Sequence, residues 1–103
     1  MPQFAVYRNP GRVEDIPYLL QVQSSRLDRS RSRVLIALVR VGHGSPLDHA
    51  LTPHLAVNGH VVFVNPLNMA TIAAARLDEP VAVLGEHDQN RVIRAIDEMI
   101  SRG

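Results

Sequence analysis

Five histidines, His43, His49, His54, His60 and His87, are the side chains in this 103-residue chain best suited to metal ligation or proton transfer. None forms a His-x-x-x-His pair or a Glu-containing zincin spacing. His54 and His60 flank a hairpin signal and are expected to approach each other across it, without a carboxylate or thiolate partner. There is no cysteine, which removes thiolate nucleophiles, thiolate zinc sites and disulfides. Ser24 and Ser25 sit in no nucleophile elbow. Gly42-His43-Gly44-Ser45-Pro46 is glycine-rich but lacks the lysine and helix start of a phosphate cradle, so it reads as a turn. The carboxylate pairs Glu14/Asp15 and Asp78/Glu79 fall in turn sequences. These residues call for no cofactor and no metal; a ribonuclease can operate with arginine and histidine alone, so the missing motifs do not exclude catalysis, but nothing in them asks for it.

The charge balance points away from nucleic acid. Eleven basic residues, all arginine, oppose ten acidic ones for a net charge of +1, far from the strongly basic balance of a dedicated nucleic-acid binder. Arg26, Arg29, Arg31 and Arg33 cluster locally. That cluster reads as a solvated turn and strand edge, with a contact patch for an acidic partner as the sharper alternative. At 46% hydrophobic and 20% charged, the chain has the composition of a globular protein, expected as a single domain over 1–103. No apolar run approaches the roughly 20 residues of a membrane span, and the first residues lack the basic and apolar regions of a signal peptide. A cytoplasmic location is expected.

The elements needed to position these residues are mostly strands. Gln3–Tyr7 reads as a first strand ended by Asn9-Pro10-Gly11, and Tyr18–Ser24 as a second that alternates Leu20/Val22 with Gln21/Gln23. Ser25–Ser32 reads as a loop. Arg33–Val41 is nearly continuously apolar, as in a central strand covered on both faces. Asp48–Thr52 holds at most one helical turn. His54–Val57 and His60–Val64 flank Asn58-Gly59, a type I′ hairpin signal, with Asn65-Pro66 closing the second arm. Thr71–Arg76 is assigned to a short strand and Val81–Leu84 to a last one. Glu86–Ser101 has the helical stripe Val92, Ile93, Ile96, Met99 and Ile100. The fold class expected is mostly β (α+β): a small antiparallel barrel closed by a C-terminal amphipathic helix.

Five stretches in order carry a family resemblance: Gln3–Tyr7; Leu20–Ser24 with Leu27-Asp28; Arg33–Leu38; Leu51–Val57; and Glu79–Leu84 running into the helix. Together they resemble the CcdB family, the toxin half of a toxin–antitoxin pair, over essentially the whole chain. The resemblance implies an SH3-like barrel with a C-terminal helix, a homodimer, and a binding inhibitor that is not an enzyme. It implies binding to the GyrA subunit of DNA gyrase, trapping it on cleaved DNA, with a CcdA-type antitoxin reversing the effect. Matched by position, the gyrase surface falls on Arg26 and Leu27 and on Asp97, Ile100, Ser101, Arg102 and Gly103; the antitoxin surface falls on Arg8, Asn9, Arg12 and Glu14. Relatives ending in Trp-Gly-Ile or Ser-Gly-Phe differ from Ser101-Arg102-Gly103 here. That change motivates a second expectation, a diverged protein that keeps dimer and antitoxin binding without poisoning gyrase. A MazF-type ribonuclease is a third, by fold analogy alone.

Overall fold

The computed structural model describes residues 3–102. Six strands form one antiparallel sheet in the order β4-β5-β3-β2-β1-β6: β1 Ala5–Arg8, β2 Tyr18–Gln21, β3 Ser32–Arg40, β4 His54–Val57, β5 His60–Ala73 and β6 Ala82–Val83. The sheet curls into a nearly closed barrel. Its two edges meet where Asn58 Nδ2, at the tip of the β4–β5 hairpin, lies 3.5 Å from the Val81 carbonyl beside β6. A single helix, α1 (Glu86–Met99), follows β6. The expected mostly-β barrel with a terminal helix is therefore the observed architecture.

Strand β3 does most to organise the packing, because its alternating side chains serve two apolar clusters. Ile36 and Leu38 enter the barrel interior with Val6, Leu20, Leu55, Val62, Val64 and Val92. Leu35 packs on the other face with Ala5, Tyr7, Leu19 and Leu77. Continuous apolar sequence in β3 reflects this double burial. The helix contributes Val92 and Ala95, both fully buried, and half-buried Ile96 to the same closure; Ile93 and Ile100, placed in the stripe by sequence, are exposed.

Several boundaries depart from the sequence pattern. Strand β1 starts at Ala5, because Phe4 adopts a positive φ of 66° and cannot continue an extended run. Strand β2 ends at Gln21, and Ser25–Leu27 is a 3₁₀ turn rather than open loop. Asp48–Thr52 holds no helical turn: it folds through an isolated bridge between His49 and Thr52. Asn65-Pro66 does not close the hairpin. Strand β5 runs on for 14 residues, and its pairing to β3 jumps from Ala37↔Asn65 to Ile36↔Met69, leaving 66–68 as a bulge. Proline is tolerated there because the bulge has no ladder position for its missing N–H. The expected strand over Thr71–Arg76 resolves into the end of β5 and a 3₁₀ turn, Ala74–Arg76.

The β4–β5 hairpin forms as expected, with Asn58 at φ 49° and Gly59 at φ 84°. Its register opposes His54 to Phe63 and His60 to Val57, so the two histidines do not face each other. Substituting Gly59→Val should lower stability by about 1–2 kcal/mol in urea unfolding, the cost of a branched side chain at left-handed φ. Gly42→Ala, where an added Cβ meets nothing within 4 Å, should change it little.

Candidate docking surface

The segment between β2 and β3 is held from beneath by two side chains. Gln23 Nε2 donates to the carbonyls of Leu27 and Ser32, each at 3.3 Å, while its Oε1 accepts from Val34 N at 3.1 Å. Arg33, only 6% exposed, turns its guanidinium back under the same loop. It donates to the Asp28 carbonyl at 3.1 Å, to the Ser32 carbonyl at 2.9 Å and to the Ser30 carbonyl, and its Nε lies 3.9 Å from Asp28 Oδ1. Reading Arg33 as part of a solvated cluster is thus corrected: its forked donors satisfy carbonyls that a tight loop cannot pair by itself. Arg26, Arg29 and Arg31 are exposed as expected.

Ser24 caps the 3₁₀ turn through Oγ, which accepts from Arg26 N at 3.2 Å, and Gln3 N donates to Ser25 Oγ at 3.2 Å. The outcome is a braced loop that displays Arg26 and a Leu27 side chain 58% exposed. Behind it, Tyr7 is fully buried, and burial pushes its phenol above the ordinary value of 10 while the Arg33 charge works in the opposite direction.

The second expected surface is the end of α1. Asp97, Ile100, Ser101 and Arg102 are all exposed there, Ile100 at 66%, and Gly103 lies outside the described residues. The last turn carries acidic Asp97 and Glu98 and no basic residue, the unfavourable sign for a helix C-terminus. The two halves of the expected gyrase surface therefore occupy different elements, one beside the N-terminal segment and one at the helix end.

The orientation of α1 is fixed by Arg91. Its NH1 donates to the His54 carbonyl at 2.7 Å and to Asp88 Oδ1 at 3.2 Å, and its NH2 to Asp48 Oδ1 at 2.9 Å. Asp48 also accepts from His54 N at 3.1 Å; this backbone hydrogen bond, with the nearby Arg91 charge, lowers its pKa below the ordinary 3.8. Nothing in the sequence pattern singled out Arg91 or Asp48, because their contact spans 43 positions.

On the expected antitoxin surface, Arg8, Arg12 and Glu14 are exposed. Asn9 is turned inward: Oδ1 accepts from Gly11 N and Nδ2 donates to the Ile16 carbonyl, both at 2.9 Å, so its side chain shapes the loop from within. Among the described residues, no three metal-ligating side chains converge and no helix is long and apolar enough to cross a membrane.

With this geometry in hand, the comparison with known families is decisive: the model described as CcdB protein matches residues 3–102. The chain belongs to the CcdB family. It is thereby a toxin of the toxin–antitoxin class, and the family match spans the braced loop, the β1–β2 loop and the helix end through Arg102. Two solved structures share the fold of this CcdB-family chain. An endoribonuclease in complex with its cognate antitoxin, from a mycobacterial species, superposes with a TM-score of 0.79 at 15% identity, covering 100% of this chain and 97% of that one. A mycobacterial endoribonuclease gives 0.69 at 16% identity, covering 95% and 88%. At these identities the likeness is one of fold. No curated protein matches by sequence.

Replacing Arg33 by Met should strip the Asp28 and Ser30 carbonyls of this donor and leave the Ser32 carbonyl to Gln23 alone. We expect about 2–4 kcal/mol lower stability in urea unfolding and faster amide exchange over 28–32. For Asp48 the folded pKa is depressed, so its contribution is complete above about pH 3.8 and is lost as pH falls through the folded value. An NMR titration should show the Asp48 carboxyl and His54 amide moving together, and Arg91→Ala should shift that midpoint upward.

Proposed function

We propose that this CcdB-family toxin acts by docking on the GyrA subunit of DNA gyrase and holding the enzyme on cleaved DNA. A CcdA-type antitoxin would neutralise it, and it would work as a homodimer in the cytoplasm, without catalysis. The family match over 3–102 carries this reading, because it includes the braced loop and the helix end through Arg102, the segments assigned to gyrase contact. Arg26 and Leu27 on the braced loop, with Asp97, Ile100, Ser101, Arg102 and Gly103 at the tail, form the proposed gyrase surface. Exposed Leu27 and Ile100 beside Arg26 and Arg102 supply the pairing of apolar and arginine anchors that concentrates interface energy. Arg8, Asn9, Arg12 and Glu14 form the proposed antitoxin surface, with Asn9 contributing through loop shape. A two-copy assembly would present each patch twice to a two-fold symmetric target. The mycobacterial complex supports an antitoxin partner by analogy of fold.

A second reading is favoured by the tail itself. Ser101-Arg102-Gly103 lacks the aromatic anchor of the Trp-Gly-Ile form, which fits a diverged member that retains dimer and antitoxin binding and has lost gyrase poisoning. Induced expression separates the two. The first reading predicts growth arrest with gyrase-linked DNA breaks, relieved by a toxin-resistant gyrase allele. Unaffected growth at confirmed high expression, with toxicity created by S101W/R102G/G103I, would establish the second. RNA cleavage by the purified protein, abolished by one arginine or histidine substitution, would overturn both in favour of a ribonuclease.

If arrest is seen, Leu27→Asp and Ile100→Asp should each weaken GyrA binding about 10- to 100-fold, roughly 1.4–2.8 kcal/mol. Their thermal unfolding should stay close to that of the parent, since both side chains are more than half exposed.

A further inference from the structure

Three arginines are left without a task by the surfaces described so far. Arg29 and Arg31 stand on the β2–β3 segment and Arg76 on the 3₁₀ turn after β5. The fold brings these segments together: Ser32 pairs with Ala73, and Ala74 N donates to the Arg31 carbonyl at 2.8 Å. All three side chains are exposed, and among the described residues none of their guanidinium groups makes a hydrogen bond or ion pair. The neighbouring acid is turned inward, since Asp28 Oδ1 is buried and lies 3.9 Å from Arg33 Nε. Over 24–33 and 71–79, five arginines stand against three carboxylates, Asp28, Asp78 and Glu79. The remainder of the chain has six arginines against seven carboxylates, so the near-neutral total hides one positive end.

The chemistry of this end selects among anionic partners. A guanidinium matches phosphate and carboxylate geometry alike. Single-stranded nucleic acid is ordinarily gripped by stacking its bases on exposed aromatic rings. Here Phe4, Tyr7, Tyr18 and Phe63, the whole aromatic complement, are buried. An acidic peptide ordinarily seats an apolar anchor beside its charges, but the exposed neighbours of these arginines along the chain are Ser30 and Ala75. What remains is a ligand held by charge alone, the evenly spaced phosphates of a duplex, whose contacts position without reading sequence. The patch also continues from Arg26 and Leu27, the loop part of the proposed gyrase surface. A toxin seated there would carry these arginines toward the DNA that gyrase holds.

We propose that Arg29, Arg31 and Arg76 form a contact face for the phosphodiester backbone of duplex DNA. Each guanidinium donates to phosphate oxygens and displaces condensed counterions, so binding is independent of sequence and steeply dependent on salt. A face of three arginines holds DNA weakly by itself, in keeping with a net charge of only +1. Its task is to add contacts to a complex already docked through the loop and the helix end. That task rests on the proposed gyrase reading, whereas duplex binding by the face does not.

The test is fluorescence anisotropy of a short mixed-sequence DNA duplex titrated with the full chain. Binding is expected at low salt and should fall roughly 40-fold between about 50 and 200 mM, the slope for three neutralised phosphates. R29E/R31E/R76E should weaken it about tenfold or more, while R29K/R31K/R76K should stay within about threefold, because a point charge suffices at a phosphate. Arg94→Glu, the same charge change on α1, should alter it less than about twofold. Unfolding midpoints should match the parent's throughout, since all four side chains are exposed. No duplex binding at low salt, no loss in the glutamate variant, or an equal loss in Arg94→Glu would overturn the proposal. So would tighter binding of a polyglutamate peptide or of a single RNA strand. In a gyrase cleavage assay the glutamate variant should trap less cleaved DNA while binding isolated GyrA as the parent does; undiminished trapping would overturn the contact within the complex. A parent that binds duplex as expected but traps no gyrase would leave the face standing and remove the gyrase reading.

Discussion

Strand β3 sends apolar side chains into two clusters at once, so every neighbouring element must cover one face or the other. Leu20, Val62 and Val64 close the interior against Ile36 and Leu38, while Leu19, Tyr7 and Leu77 cover Leu35. The apolar surface withdrawn on both sides is the main driving force available to so short a chain. The surfaces proposed for docking are consequences of this arrangement. The braced loop enters β3 at Ser32, the bulge interrupts its pairing to β5 beside Ile36, and Arg40 closes it by donating to the Asp15 carbonyl at 2.8 Å.

A second theme is the use of arginine and amide side chains as internal scaffolding. Arg33 gathers three carbonyls of one loop, Gln23 bridges Leu27 and Ser32 in the same loop, and Arg91 ties a helix to a segment 43 residues away. A guanidinium presents several donors in a fixed plane, which lets one buried side chain replace a stretch of ladder pairing. The loops that display Leu27 and the helix that displays Ile100 are thereby held before any partner arrives, which reduces the ordering cost of binding.

Much of the architecture was legible in the residues. Asn58-Gly59 fixed the hairpin because few pairs accept left-handed φ twice in succession, and the apolar run from Val34 to Val39 marked a strand buried on both sides. The family resemblance, carried by short stretches along the chain, matched the family finding over 3–102. What failed did so for identifiable reasons. Pro66 normally ends a strand, and only the three-residue register shift, a tertiary feature, lets β5 continue beyond it. Ile93 and Ile100 match the helical period, yet both are exposed while Val92 and Ala95 take the buried places, a rotation of the helix face that the period alone does not fix. Arg33 was misread because charge suggests solvent, whereas its partners are main-chain oxygens with no sequence signature. Of the residues expected at the two surfaces, those described are exposed except Asn9, whose amide is consumed within its own loop, a contact with no sequence signature.

The hairpin tip has one more property. Asparagine followed by glycine is the dipeptide most open to cyclisation through a succinimide, since the glycine backbone nitrogen reaches the side-chain carbonyl carbon unhindered, displacing Nδ2 as ammonia. Asn58 stands at the seam where the two barrel margins meet, its amide directed at the Val81 carbonyl. Hydrolysis of such a ring would leave a carboxylate where a donor had been and would place like-signed oxygens against each other. Closure of the barrel at this point thus hangs on an amide donor, and a side chain without one would leave the Val81 carbonyl facing open space across the seam.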